Sequence, residues 1–235
     1  MLLMDLSAQE PTEDVTTNTN TIAFRRDNLL DDGQAQDNLI GGGAYYVSNP
    51  APTYELDPEL IYFDAEWQEG RVELLDGDVY RADLRYRVLD QKFEVLVEGE
   101  AYELDNNQIA RVDIADAYFI LMVDPLNRLN GRHIHQLHFI GGDMQILEQH
   151  EADWQDPPEQ NMFDTREQHR TVKRTSTTVF GQDGQFNVLR NNRSLTRLLG
   201  LAKGSDAMDF VRSRRLQLKE AADAARLLSF LVSEQ

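Results

Sequence analysis

The 235-residue chain contains no cysteine. Thiol catalysis, zinc–thiolate centres and a disulfide framework are therefore excluded. The absence leaves the compartment open, because exported chains can also lack cysteine. No run of about 18 apolar residues occurs, which excludes a membrane-spanning helix. Positive charge is scarce. The 23 Lys and Arg stand against 41 Asp and Glu, a formal charge of −18. Nucleic acid and anionic membranes would repel such a chain. No Gly-x-Ser-x-Gly elbow is present. Gly41-Gly42-Gly43 lacks the Lys-Ser or Lys-Thr of a phosphate loop, so it reads as a hinge.

What is present is globular material, 41% hydrophobic and 27% charged. The length allows one large domain or two small ones, with a core that needs no staple. Met1 to Gln9, with Leu2, Leu3, Met4 and Leu6 before Ser7-Ala8, looks like the end of a signal peptide cut after Ala8. Asp5 counts against that, and a frayed cytoplasmic terminus is the alternative. Residues 10–44 are polar, acidic and without period, the pattern of a loosely held leader. The division expected is a signal remnant and leader over 1–44, a β-domain over 45–192 and a helical tail over 193–235.

From Gly70 onward, apolar runs alternate with turn signals. Asp76-Gly77 predicts a hairpin between Arg71–Leu75 and Val79–Val88. In the second run Tyr80, Ala82, Leu84, Tyr86 and Val88 share one face, while Arg81, Asp83, Arg85 and Arg87 share the other. Strands are expected at 92–97, 101–104, 109–114, 118–123, 133–139, 144–150, 170–180 and 185–189. Tyr118–Val123 is apolar on both faces, as a central strand would be. Asp153–Phe163 reads as a loop. The fold class is mainly β (α+β): an antiparallel meander forming a sandwich or a partly open barrel, with two or three C-terminal helices.

Ser194 is placed to cap a helix from Leu195, and Ser205 one from Asp206. A third helix is expected over 219–232, its buried stripe being Ala221, Ala224, Ala225, Leu228, Leu231 and Val232. Residues 185–235 hold 9 basic and 5 acidic side chains, whereas residues 1–57 hold 2 and 10. A basic tail beside an acidic β-domain predicts that the tail docks on it.

The order Gly70–Gly77, Leu84-Arg85-Tyr86, Phe93-Glu94-Val95, then Phe186–Leu189, Leu195–Leu199, Phe210-Val211-Arg212 and Leu216–Lys219 resembles a group of uncharacterised exported proteins of Bacteroidetes-type bacteria. The resemblance spans about residues 60–232. It implies a periplasmic or outer-surface location and implies no reaction.

Candidate chemistry is sparse. His133 and His135 alternate on one strand, so both imidazoles would share a face and suit one metal ion, with Asp143 or Glu148 adding a carboxylate. His138 is expected on the opposite face. Glu98 with Glu100, Asp76 with Asp78 and Glu148 with Glu151 are the imaginable acid–base pairs. Trp67, Trp154, Tyr45, Tyr46 and Tyr62 are a possible sugar-stacking platform, with core packing the plainer expectation. Arg81, Arg85 and Arg87 are expected to pair with Glu73, Glu94 or Asp83 across strands. No catalytic residue and no cofactor is assigned. The function expected is a non-enzymatic binding module of the cell envelope, its partner an envelope protein or a glycan. A glycan-directed hydrolase and a metal-binding protein using His133 and His135 are the rivals.

Overall fold

The computed structural model describes residues 47–50, 56–97, 99–126, 131–156 and 170–233. The signal-like segment and leader, Tyr45, Tyr46, Glu98 and the Pro157–Phe163 part of the expected loop lie outside the described residues. Among the described residues, eleven antiparallel strands build one open sheet. They are β1 (Val47–Pro50), β2 (Gln68–Leu74), β3 (Val79–Arg87), β4 (Lys92–Val97), β5 (Glu100–Leu104), β6 (Ile109–Ile114), β7 (Ala117–Val123), β8 (Arg132–Gly141), β9 (Met144–Gln155), β10 (Thr171–Gln182) and β11 (Gln185–Val188). The helices are α1 (Pro58–Ile61), α2 (Asn192–Leu198), α3 (Asp206–Arg214) and α4 (Ala221–Ser233). The described fold is thus mainly β, with α2, α3 and α4 at its C-terminal end. The Asp153 loop expected from sequence begins later, because β9 continues to Gln155.

The hairpins form where their turn residues demand. Between β10 and β11, Asp183 (φ 51°) and Gly184 (φ 73°) both take left-handed conformations, as a two-residue type I′ turn requires. Gly70 serves a different need. A Cβ there would lie 2.5 Å from the Asp113 carbonyl oxygen and 2.8 Å from a Leu84 methyl, so only glycine lets β2 and β6 close up.

One connection departs from a simple meander. The spatial order is β1-β5-β4-β3-β2-β6-β7-β8-β9-β10-β11, so β6 returns to the far side of β2. Across a flat sheet β5 and β6 would stand about 19 Å apart, four spacings of roughly 4.8 Å. The link between Leu104 and Ile109 is five Cα steps, at most about 18 Å when fully extended. It also contains a tight turn, Gln108 N–H to Asp105 O at 3.0 Å. The sheet must therefore roll.

The rings inside the roll confirm this. Phe119 of β7 meets Tyr86 of β3 at 5.2 Å between centroids and Phe93 of β4 at 5.7 Å, although three and four strand spacings separate those strands. Phe63 joins them and also meets His150 of β9 at 5.0 Å. Two further contacts bridge the open side. Gln91 donates to the His150 carbonyl at 2.8 Å, and Arg174 of β10 donates to the carbonyls of Glu59 and Tyr62 at 3.1 and 2.8 Å. The α1 segment, capped by Asp57 and opened by Pro58, thus lies between β3 and β10. The result is a partly open barrel rather than a sandwich.

A second core lies against the other end of the long strands. Ile146 of β9 and Phe180 of β10 pack with Leu195, Leu216, Leu218, Leu227 and Leu228. Asn191, not Ser194, caps α2, accepting from Arg193 N–H at 3.0 Å, while Ser194 sits buried inside the helix. Ser205 caps α3 as expected. Leu227 replaces Val232 in the buried stripe of α4, and Val232 faces outward. Among the described residues no helix is long and apolar enough to cross a membrane.

Parity along β7 gives a direct test. Phe119 is fully buried, whereas Tyr118 is 47% exposed and lies under Arg111. Phe119→Ala should cost about 3–5 kcal/mol in urea denaturation, and Tyr118→Ala about 1 kcal/mol or less.

Candidate functional site

The long strands β9 and β10 carry both cores on one face. Ile146 and Phe180 lie in the helical core, while Ala152 and Val172 lie in the barrel core. The residues between them on that face are polar: Glu148 and His150 on β9, Ser176 and Thr178 on β10. Strand β8 adds Gln136, directly opposite Glu148. A bulge between Leu137 and Phe139 then shifts the register. It lets His138 and Phe139 both serve this face, His138 at the polar seam and Phe139 in the helical core.

The seam is tightly bonded. His138 Nε2 donates to Glu148 Oε2 at 2.9 Å, and His150 Nε2 donates to the Gln136 amide oxygen at 2.9 Å. Burial opposes the charge on Glu148. The bonds from His138 and Ser176, with the nearby imidazoles, outweigh it and hold the carboxyl down at about 2. Burial pushes His150 down to about 4, against the pull of Glu148 and with help from Arg174 and His138. This order, Ser176–Glu148–His138, places the carboxylate between hydroxyl and imidazole. Nucleophile activation needs the imidazole in the middle.

His138 also forms part of the wall of a groove of about 980 Å³ between α3 and α4. Helix α4 presents Ala222, Ala225, Arg226, Ser229 and Ser233 to the groove, a stripe at helical spacing. The adjoining stripe, Ala221, Ala224, Leu227 and Leu228, anchors the helix in the core. Phe210 of α3 and Phe230 of α4 stack at 4.3 Å, interplanar angle 9°. One turn from that stack on each helix stand Arg214 and Arg226, both in the groove wall. Arg226 gives one bond to Asp223 at 2.8 Å. Among the described residues no carboxylate pairs with Arg214 or lines the groove.

The sequence candidates fall elsewhere. His133 is half-buried and His135 fully buried on the opposite face of β8, where His135 Nδ1 donates to the His133 carbonyl at 3.1 Å. Glu148 lies across the sheet from them, on His138, and Asp143 stands at the β8–β9 turn beside Gln182. Among the described residues no three His, Asp or Glu side chains converge as a metal-binding group. Glu148 and Glu151 alternate onto opposite faces, and Asp76 spends an oxygen on the Asp78 N–H. Glu98 lies outside the described residues, while Glu100 receives the Tyr102 hydroxyl at 3.0 Å.

Arg85 covers the ring faces of Tyr62 and Trp67, at 3.6 and 4.2 Å, and Arg170 lies over Trp154. Arg85 and the fully buried Arg87 both bind Glu94, and Arg87 also holds Asp90 and Glu103. Arg81 instead faces Arg71. The sequence passed over Phe210, Arg214, Arg226 and Phe230. The matching Phe–Arg spacing of four, in opposite order on consecutive helices, was the available signal. Comparison with family models, curated proteins and solved structures finds no match.

The seam has a pH signature. His150 resists protonation in the fold, so between pH 6.5 and about 4 the unfolded chain binds the extra proton. Stability should fall as pH is lowered through that window, by roughly 3 kcal/mol at most. Urea midpoints across that range should drop less for His150→Gln than for wild type. Equal slopes would remove His150 as the cause.

Proposed function

We propose that this chain is a non-enzymatic binding module exported to the cell envelope, and that it holds a small, largely apolar ligand between α3 and α4. The observation that carries the reading is the groove. Its volume of about 980 Å³ is that of a small-molecule site, and its wall combines the apolar Phe210, Leu216, Ala222, Ala225 and Phe230 with five polar side chains. Export rests on the signal-like N-terminus and the resemblance of pattern.

The composition of the wall favours holding over hydrolysis. A glycosidase uses two carboxyl groups across a cleft, whereas this wall offers guanidiniums, hydroxyls and one imidazole already committed to Glu148. A glycan platform needs open ring faces, and Arg85 occupies those of Tyr62 and Trp67.

A neutral apolar dye, N-phenyl-1-naphthylamine, should bind saturably with enhanced fluorescence. Ser229→Trp, which fills the groove from the face of α4 opposite the core, should weaken binding about tenfold or more, a loss of about 1.4 kcal/mol. Circular dichroism should stay that of wild type. Absence of saturable binding, or equal affinity in the filled variant, would refute the groove as a site.

A further inference from the structure

The groove's wall is chemically lopsided. Its apolar surface comes from Phe210, Leu216, Ala222, Ala225 and Phe230, and spans about 12 Å of α4 from Ala222 to Phe230 at 1.5 Å per residue. Against this stand two guanidiniums, Arg214 and Arg226, one from each helix and each one turn from the Phe210–Phe230 stack. No carboxylate stands in the described wall itself, although Asp223 beside it forms a salt bridge with Arg226. Asp223 takes one N–H of Arg226, and four of the five donors of that fork remain. Such a wall is complementary to a molecule with a long apolar body and a compact anionic end.

We infer that the ligand is a free single-chain amphiphile with a carboxylate head, of the fatty-acid type. Its alkyl chain would lie along the apolar floor beside the stacked rings, and its carboxylate between Arg214 and Arg226. Guanidinium is the group suited to this grip, because its planar fork meets the two oxygens of a carboxylate in parallel bonds. The chain as a whole carries −18 and repels anions at a distance. Affinity for a carboxylate must therefore come from the local pair of cations. The same global charge disfavours an anionic bilayer as the source, so the free molecule is the occupant. This inference rests on the groove being a site. It adds the class of head group.

The experiment is calorimetric titration of the full chain with decanoate, decanol and decyltrimethylammonium, each below its aggregation limit. Wild type should bind decanoate most tightly and decyltrimethylammonium least. Arg214→Gln with Arg226→Gln should weaken decanoate about tenfold or more and leave decanol unchanged. Arg193→Gln with Arg197→Gln, two cations on α2 away from the groove wall, should leave all three unchanged. Equal binding of the three probes, or equal loss of decanoate affinity in both double variants, overturns the carboxylate assignment while the groove stands. Failure of decanol and decanoate alike, together with failure of the neutral dye, overturns the groove itself.

Discussion

The structure depends on a four-residue link. Asp105 to Gln108 joins β5 and β6, two strands that stand on either side of the three strands β4, β3 and β2. So short a link cannot cross a flat sheet. It forces β2–β7 into a roll, and the roll brings Tyr86, Phe93 and Phe119 together in its hollow. Arg132 helps hold the same corner, donating to the carbonyls of Asn106, Ile109 and Leu121. Once rolled, the sheet leaves an open side, which α1 and Gln91 bridge to β9 and β10. The buried salt-bridge group is a consequence of the same packing. Glu94 and Glu103 stand directly opposite each other on β4 and β5, and Arg87 binds both. Like charges in that position repel, and the guanidinium between them converts the repulsion into attachment. Burial disfavours the charge on Arg87, but Asp90, Glu103 and Glu94 hold it firmly protonated.

The twelve-residue strands β9 and β10 then carry the fold outward. They are too long for one core and serve two. The polar seam of Gln136, His138, Glu148 and His150 divides the barrel from the helical end, and its members satisfy one another. The β8 bulge makes that economy work, because it lets Phe139 follow His138 onto the same face and reach the helical core. The α3–α4 hairpin packs over the far end through one stripe of α4. Its neighbouring stripe is left facing α3, and the groove is the space between them.

Much of the fold was legible. Period-two burial in Val79–Arg87, the Asp76-Gly77 and Asp183-Gly184 turns, and the switch to helical period after Asn192 all express local chemistry. The β5–β6 crossing was not legible, because a short polar link looks the same whether it joins neighbours or crosses a rolled sheet. The cap at Asn191 was missed since Ser194 is an equally good capping residue by type. Tyr118–Val123 is central, yet on its second face Tyr118 is exposed and Ile120 and Met122 are only half-buried, so the apolar run overstated burial there. The site was the least legible part. His133 and His135 announced themselves by spacing, and alternation put His138 on the opposite face as expected, but the bulge that brings Phe139 to that same face is announced by no residue type. Arg214 and Arg226 became neighbours of one groove only through the packing of two helices. The pairing of Arg85 with Glu94 was readable across strands, but Arg81 met another arginine.

Charge ties the sequence to the site. An acidic chain keeps two of its arginines in a groove whose described wall has no acid, on the helical end where the local balance is basic. Intermolecular nuclear Overhauser effects between decanoate and isotope-labelled protein test the central claim most directly. Cross-peaks are expected from the alkyl protons to the Phe210 and Phe230 rings and to the Ala222 and Ala225 methyls. Cross-peaks confined to other exposed aromatics, such as Tyr118 or Trp154, would contradict it.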